Sequence, residues 1–416
     1  MTSTRTMPAH LDVHLIQSFP YANLNRDRQN APKQGLYGGS MRARISSQHT
    51  KRHLRQAAEE ALGIRALRTR GVPQEVARLL EADGWDPQEA ALAGKLLIAS
   101  AGVKGLGIST SGGSNALLFL PETAFEELAV IARADRAKIA EVAAAIAPEL
   151  KKLEAKKTKR QDADDEETED EDAAPESELL AARAKALFPK NAVVNVLRSK
   201  NASVAAFGRM LANEAGSTVY GAVQVAHGLS THTASTQLDF FTAVDDLSTG
   251  GAEGSGAGHL GDSRYTSATF YRYASLNIRE LVANLDRDTK AATEVAAEFL
   301  RAFALTVLPA KASGTAPFTV PHLVYAAVRA DRPVSLVGAF ERAIPATAQG
   351  YLSGSMTALD QHADAHHRFL GTSAIAAHGH AGLDQGTYRA LGNRAGSFDD
   401  LIALVTGTLA TRAEAA

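Results

Sequence analysis

Between Lys151 and Glu178 the chain reads KKLEAKKTKRQDADDEETEDEDAAPESE, and no other feature limits the fold as strongly. Asp162–Glu178 holds eleven acids and no base. Such a low-complexity stretch buries no apolar surface and cannot run through a core. The 416 residues must therefore pack on either side of it. At roughly 150 residues per domain that length allows two or three domains. Residues 156–178 are expected to be a disordered, solvated linker; the functional alternative is an interaction tail or electrostatic mimic.

The flanking segments carry regular patterns. His10–Phe19 alternates Leu11, Val13 and Leu15 against Asp12 and His14 and stops at Pro20, a strand signature. Asn23–Gly39 reads as loop, Met41–Ile45 as a short strand, and Ser46 or Ser47 as the N-cap of a helix to about Leu62. From about Pro73 to Leu153 the chain is Ala- and Leu-rich with helical periodicity, interrupted by the glycines of 105–113. Val193–Met210 passes from helix to strand. Val219–Ser230, Thr266–Ile278 and Thr319–Val328 are strand-like, and Thr289–Leu308 is an amphipathic helix. This order predicts an α+β domain interrupted by a helical one. Cysteine is absent, which excludes disulfides, cysteine zinc sites, iron–sulfur ligation and cysteine nucleophiles. Glu298 and Arg301 break the best apolar helix, and Asp12 and His14 interrupt any signal-peptide core, so a cytoplasmic protein without a membrane span is expected.

The net charge of −2 predicts no partner, but its distribution does. From Leu24 to Arg55 stand eight Lys/Arg (Arg26, Arg28, Lys33, Arg42, Arg44, Lys51, Arg52, Arg55) against one acid, Asp27. Such a segment is an anion-binding surface, a basic arm or a solvated face. At 100° per residue Gln48, Lys51, Arg52 and Arg55 share an arc, with Leu54, Ala57 and Ala61 opposite for packing. Ser46 and Ser47 add hydroxyls and helix-start N–H groups suited to a phosphate, and Arg42 and Arg44 alternate onto one strand face.

Gln237–Ser263 joins an apolar base (Leu238, Phe240, Phe241, Val244) to a Gly-rich stretch, TGGAEGSGAGHLG, with no following Lys-Ser/Thr to make a P-loop. It reads as a flexible hairpin whose phenylalanines either stack on bases or enter the core. Phe270–Tyr273 presents the same choice between base stacking and core. His362, His366 and His367 have helical metal-ligand spacing without a companion glutamate, His227 and His232 are general-base candidates, and Asp245–Asp246 point to opposite strand faces. No metal or cofactor is expected.

Several blocks resemble the CasC family, the backbone subunit of the type I-E CRISPR surveillance complex, Cascade: NLNRD (Asn23–Asp27), YGG (Tyr37–Gly39), RARISSQHTKRHLR (Arg42–Arg55), FGRM (Phe207–Met210), VAHGLSTH (Val225–His232), DFFTAVDDL (Asp239–Leu247), GHLG (Gly258–Gly261) and FYRYASLNI (Phe270–Ile278). The resemblance spans about residues 10–310 and is poor from Gly63 to Leu187. It implies a modified RNA-recognition (ferredoxin-like) palm (9–62, 191–232, 263–416), helical fingers (63–190) and a β-hairpin thumb (233–262). It also implies non-catalytic copies stacked head to tail on CRISPR RNA with other Cascade subunits, the guide pairing with target DNA. By motif position Arg26, Lys33, Ser46, Gln48, Lys51 and Arg52 contact the guide backbone. Asn25 and Ser47 lie in the same motifs, and Arg42, Arg44 and Arg55 join them on charge and spacing. Met210 props a displaced nucleotide, and Phe241, Thr242 and Val244, with Phe240 beside them, kink the guide–target duplex. The alternatives are a type III-like backbone subunit cleaving target RNA through Asp27, and a guide-processing endoribonuclease using His14 or His49.

Overall fold

The computed structural model describes residues 8–161, 169–210, 216–243, 259–308 and 311–413. The alternating N-terminal segment forms β1 (His10–Ala22). It continues past Pro20 because its pairing register shifts between Phe19 and Ala22, where a residue without an N–H is tolerated. The segment expected to be loop contains β2 (Gln34–Tyr37), which pairs antiparallel with β3 (Ser40–Ile45). Gly38 and Gly39 at φ 55° and 72° supply the left-handed turn that a two-residue hairpin needs. β3 runs into α1 (Ser47–Ala61), capped by Ser46.

Next come β4 (Ala66–Thr69), α2 (Val72–Ala82), α3 (Pro87–Ser100), β5 (Leu118–Pro121), α4 (Thr123–Ala134), α5 (Arg136–Gln161), α6 (Glu169–Leu187), α7 (Lys190–Arg198) and α8 (Ala202–Phe207). The last part of the chain contributes β6 (Val223–Val225), β7 (Gly228–Ser230), β8 (Gln237–Ala243), β9 (His259–Asn277), α9 (Ile278–Asn284), α10 (Thr289–Leu305), α11 (Ala312–Thr315), β10 (Leu323–Arg329), α12 (Leu352–Leu370), β11 (Ile375–Gly382), β12 (Asn393–Arg394) and α13 (Phe398–Ala413). The fold is α+β, and the chain divides into one unit of Met1–Leu62 with Ala222–Ala416 and another of Gly63–Gly221.

The first unit is built on a mostly antiparallel sheet ordered β12-β11-β10-β1-β9-β7-β3-β2, with β6 and β8 also pairing to β9. Both faces of β1 are covered. On one face Ile16, Tyr271 and Tyr325 pack with Phe340, Met356 and Leu359. There Asp12 accepts from the Tyr273 hydroxyl at 2.9 Å and the Val334 N–H at 2.8 Å, and His14 lies 2.9 Å from the Tyr271 hydroxyl. On the other face Arg272 donates to Gln17 Oε1 at 2.9 Å and to the carbonyl of Phe303 on α10 at 3.1 Å. The polar half of the expected alternation is thus buried, and Phe270, Tyr271 and Arg272 are core.

The second unit packs α2, α3, α4, α6 and α7 around Leu80, Leu96, Phe125, Leu128, Leu180 and Leu197, with a small two-stranded antiparallel β4–β5 sheet beside them. Residues 191–221, expected with the palm, belong to this unit. The expectation of disorder over 156–178 is corrected on both sides of residues 162–168, which lie outside the described residues. α5 runs to Gln161 and α6 starts at Glu169. Leu180, Ala184 and Leu187 anchor α6 in the core, Glu176 pairs with Lys95 at 2.8 Å, and Ser177 Oγ accepts from the Ile108 N–H at 3.3 Å. Apolar residues downstream hold as helix what composition alone leaves solvated.

Candidate nucleic-acid interface

The charged arc of α1 starts where β3 leaves the sheet. Asn25 Oδ1 accepts from the Ser46 N–H at 2.9 Å, and Ser46 Oγ accepts from the His49 N–H at 3.4 Å. His227 Nδ1 accepts from the Ser47 N–H at 3.1 Å, with Arg44 Nη1 3.5 Å away. Two of the first N–H groups expected to be open to phosphate are therefore already satisfied by protein, and Ser46 itself is buried. What stays at the surface is side-chain charge. Gln48 and Arg52 are exposed, and Lys33, Arg44, Ser47 and Lys51 are half-buried. Burial pushes His49 down to about 4, and His53, Lys33 and Arg52 push it the same way. The local potential is positive.

Not all the expected cations serve that surface. Arg42 is fully buried. Its guanidinium donates to the carbonyls of Tyr37 (3.3 Å), Ser230 (3.0 Å), Phe340 (2.9 Å) and Glu341 (3.2 Å), so the assignment of Arg42 to RNA is corrected. Residues 42 and 44 share a strand side, but the 3-10 turn Val337–Phe340 packs only over the first. Arg55 is held by Glu59 on the next helical turn at 2.6 Å, which offsets the repulsion expected along the arc. Lys51 Nζ donates to the Val223 carbonyl at 2.9 Å. On the packing side Leu54 and Ala58 are buried, whereas Ala57 is half-buried and Ala61 exposed.

The NLNRD loop is ordered by its own polar groups. Asp27 Oδ1 accepts from the N–H groups of Gln29 (2.8 Å) and Ala31 (2.9 Å), and Arg26 donates to Asn30 Oδ1 at 2.9 Å instead of pairing with Asp27. The Lys33 N–H donates to the Asn25 carbonyl at 2.8 Å, and the Lys33 carbonyl accepts from the Arg44 N–H at 2.8 Å. Asn25 thus links loop, hairpin and helix start, and it is a scaffold residue as much as a contact residue.

The expected thumb begins as a hairpin in which β8 pairs with the first residues of β9, from Gln237↔Tyr265 to Ala243↔His259. Leu238, Phe240, Phe241 and Thr242 are all exposed, so neither phenylalanine is core. The Phe241 ring lies on Gly261, where an added Cβ would meet Cζ at 2.7 Å. Val244 and residues 245–258 lie outside the described residues. Met210, 80% exposed, belongs to the second unit. His232 is buried, stacked on Tyr351 at 3.6 Å, and its Nε2 accepts from the Thr269 N–H at 3.1 Å, which makes it a sheet fastener. His362 and His366 have Nε2 atoms 3.2 Å apart. Sequence reasoning missed that His227 anchors the start of α1 and that Arg209 is a buried staple, although VAHGL and FGRM contain both.

Fold and charge together define the class: an α+β protein with a cationic helix start beside a sheet edge and a projecting hairpin. The chain belongs to the CT1975-like protein family, which matches residues 11–403. It is similar to a solved chain described as "CRISPR RNA-guided surveillance complex, pre-nicking", with 34% identity and TM-score 0.80, covering 96% of this chain and 100% of that one. A second, described as "CRISPR RNA-guided surveillance complex", has 30% identity and TM-score 0.69 over 96% and 99%. No curated protein sequence matches. Family and structures agree with the resemblance carried by the sequence motifs.

Proposed function

We propose that the chain is a non-catalytic backbone subunit of a type I-E CRISPR surveillance complex, coating the guide RNA head to tail through its phosphates and presenting bases to target DNA. In this reading the sheet of the first unit is a modified RNA-recognition palm, the second unit is the fingers and β8–β9 the thumb. The observation that carries it is the crowding of Lys33, Arg44, Lys51 and Arg52 around one helix start, in a chain 34% identical to one from an RNA-guided complex. Phosphate contacts suit a protein that must accept any spacer, because they carry no sequence information. The partners are CRISPR RNA, the paired DNA strand, further copies and other Cascade subunits; no cofactor takes part.

Titration of guide RNAs with unrelated spacers at several salt concentrations tests this. Lys51→Ala/Arg52→Ala should weaken all guides about equally and flatten the log–log salt slope by about 0.7 for each phosphate no longer neutralised. Weakening confined to one spacer would overturn the backbone role. The type III-like alternative predicts metal-dependent RNA cleavage that Asp27→Asn abolishes. Against it, Asp27 is already committed to the N–H groups of its own loop.

A further inference from the structure

β11 and β12 form the edge of the sheet farthest from β2 and β3, and the turn that joins them borders a cavity of about 580 Å³. That volume lies within the usual range for small-molecule sites, about 300–1,000 Å³. Its wall includes His378, His380, Thr387, Arg389, Asn393 and Arg394, and no carboxylate. Arg389 is exposed and has no hydrogen-bond or ion-pair partner among the described residues. Arg394 is held over the turn by donating to Gln385 and, at 3.2 Å, to the Gly382 carbonyl. The nearby carboxylate of Asp384 accepts from the Tyr388 hydroxyl at 2.6 Å. The floor is rigid: Gly392, at φ 73°, lies so close to His378 that a Cβ there would meet its carbonyl oxygen at 2.6 Å. Two guanidinium groups in a wall without a carboxylate suit an oxyanion, and their planar forks match phosphate oxygens.

His380 adds a second requirement. It is only 3% exposed, and its Nδ1 lies 3.3 Å from the Leu391 carbonyl. A carbonyl only accepts, so Nδ1 carries the proton and Nε2 of the neutral ring is an acceptor. That Nε2 is buried and has no partner among the described residues. A buried lone pair calls for a donor, which a hydroxyl supplies and a bare phosphate dianion does not. We propose that this cavity binds a ribonucleotide, with its phosphate on Arg389 and Arg394 and a ribose hydroxyl donating to His380 Nε2. The site is separate from the β3–α1 surface and does not depend on guide binding there.

Calorimetric titration of the full chain with adenosine monophosphate tests this, with the 2′,3′-dideoxy analogue and inorganic phosphate as comparisons. Both comparisons should bind about fivefold more weakly, the effect of one hydrogen bond that leaves a buried acceptor unpaired when lost. Arg389→Gln should weaken the nucleotide about tenfold, as expected for a charge-assisted contact, with an unchanged melting temperature because the residue is exposed. His380→Phe, which keeps a ring against Tyr388, should bind the nucleotide and its dideoxy analogue equally. If that variant does not fold, the wild-type comparison of the two ligands still decides the role of the hydroxyl. Lys51→Ala/Arg52→Ala should leave nucleotide affinity unchanged. No binding at millimolar nucleotide would overturn the site, as would wild-type affinity in Arg389→Gln, equal wild-type affinity for the dideoxy analogue, or a loss confined to Lys51→Ala/Arg52→Ala. A 5′-phosphorylated diribonucleotide separates the two sources of such a ligand: tighter binding than the mononucleotide supports the site with an RNA end in it, and exclusion supports it with a free nucleotide.

Discussion

The interior of β3 and the arc of α1 place the same charge a few residues apart and use it in opposite ways. Arg42 is sealed under the turn Val337–Phe340, with four carbonyl partners and no carboxylate within hydrogen-bonding distance among the described residues. Desolvation accordingly holds its guanidinium below the usual arginine range. Arg52 keeps its charge at the surface, while Lys51 and Arg55 on the same arc reach the Val223 carbonyl and Glu59. A buried cation therefore works as a multidentate fastener between distant segments, while an exposed cluster keeps its electrostatic energy for an external anion.

Three further measurements can break or sharpen this contrast. The largest effect is expected at Arg42. Arg42→Met should cost about 3 kcal/mol or more in unfolding free energy, because each buried carbonyl left unpaired costs about 1–3 kcal/mol. Arg52→Met should leave stability within about 0.5 kcal/mol, as for most surface changes. Equal melting temperatures for the two variants would erase the distinction.

Acid should have the next largest effect, and it acts on the buried polar face of β1. Burial lowers His14 to about 3, so the folded state keeps it neutral while the unfolded chain takes up its proton near the usual value. The stability this group contributes is complete above pH ~6.5 and is lost as pH falls toward its folded value, about 2 kcal/mol by pH 5. Asp12, raised to about 6 chiefly by burial, runs the other way and returns part of that loss. Denaturant midpoints between pH 7 and 5 should therefore fall, and His14→Gln should flatten the profile. A flat wild-type profile would mean that His14 is not held neutral by the fold.

The smallest effect is expected at the hairpin. Phe240→Ser should change stability by less than about 0.5 kcal/mol, because its ring is 60% exposed. A loss of about 3 kcal/mol, typical of emptying a core site, would return Phe240 to the interior.

Much of this was legible in the sequence. The alternation of β1 and the Ser46 cap of α1 follow from patterns a few residues long. β2 was hidden because Gln34-Gly35-Leu36-Tyr37 has no apolar–polar alternation, and it pairs with β3, which offers it a ladder. α6 was hidden for the reverse reason: its acidic half predicts disorder, while Leu180 and Ala184 further along commit it to the core. At the candidate site the cation-rich segment was plain from composition, and the division of labour within it was not. The contact that buries Arg42 comes from 298 residues away, and the one that holds Lys51 from 172 residues away.

By itself the sequence determined the α+β character, the main elements, the basic segment and the family motifs, since each depends on local periodicity, residue chemistry or charge density. Only the tertiary structure decided which cations remain for a ligand and that Phe240 and Phe241 face outward. Burial is fixed by what packs over a residue, and the covering segments lie far along the chain, beyond the reach of any local pattern.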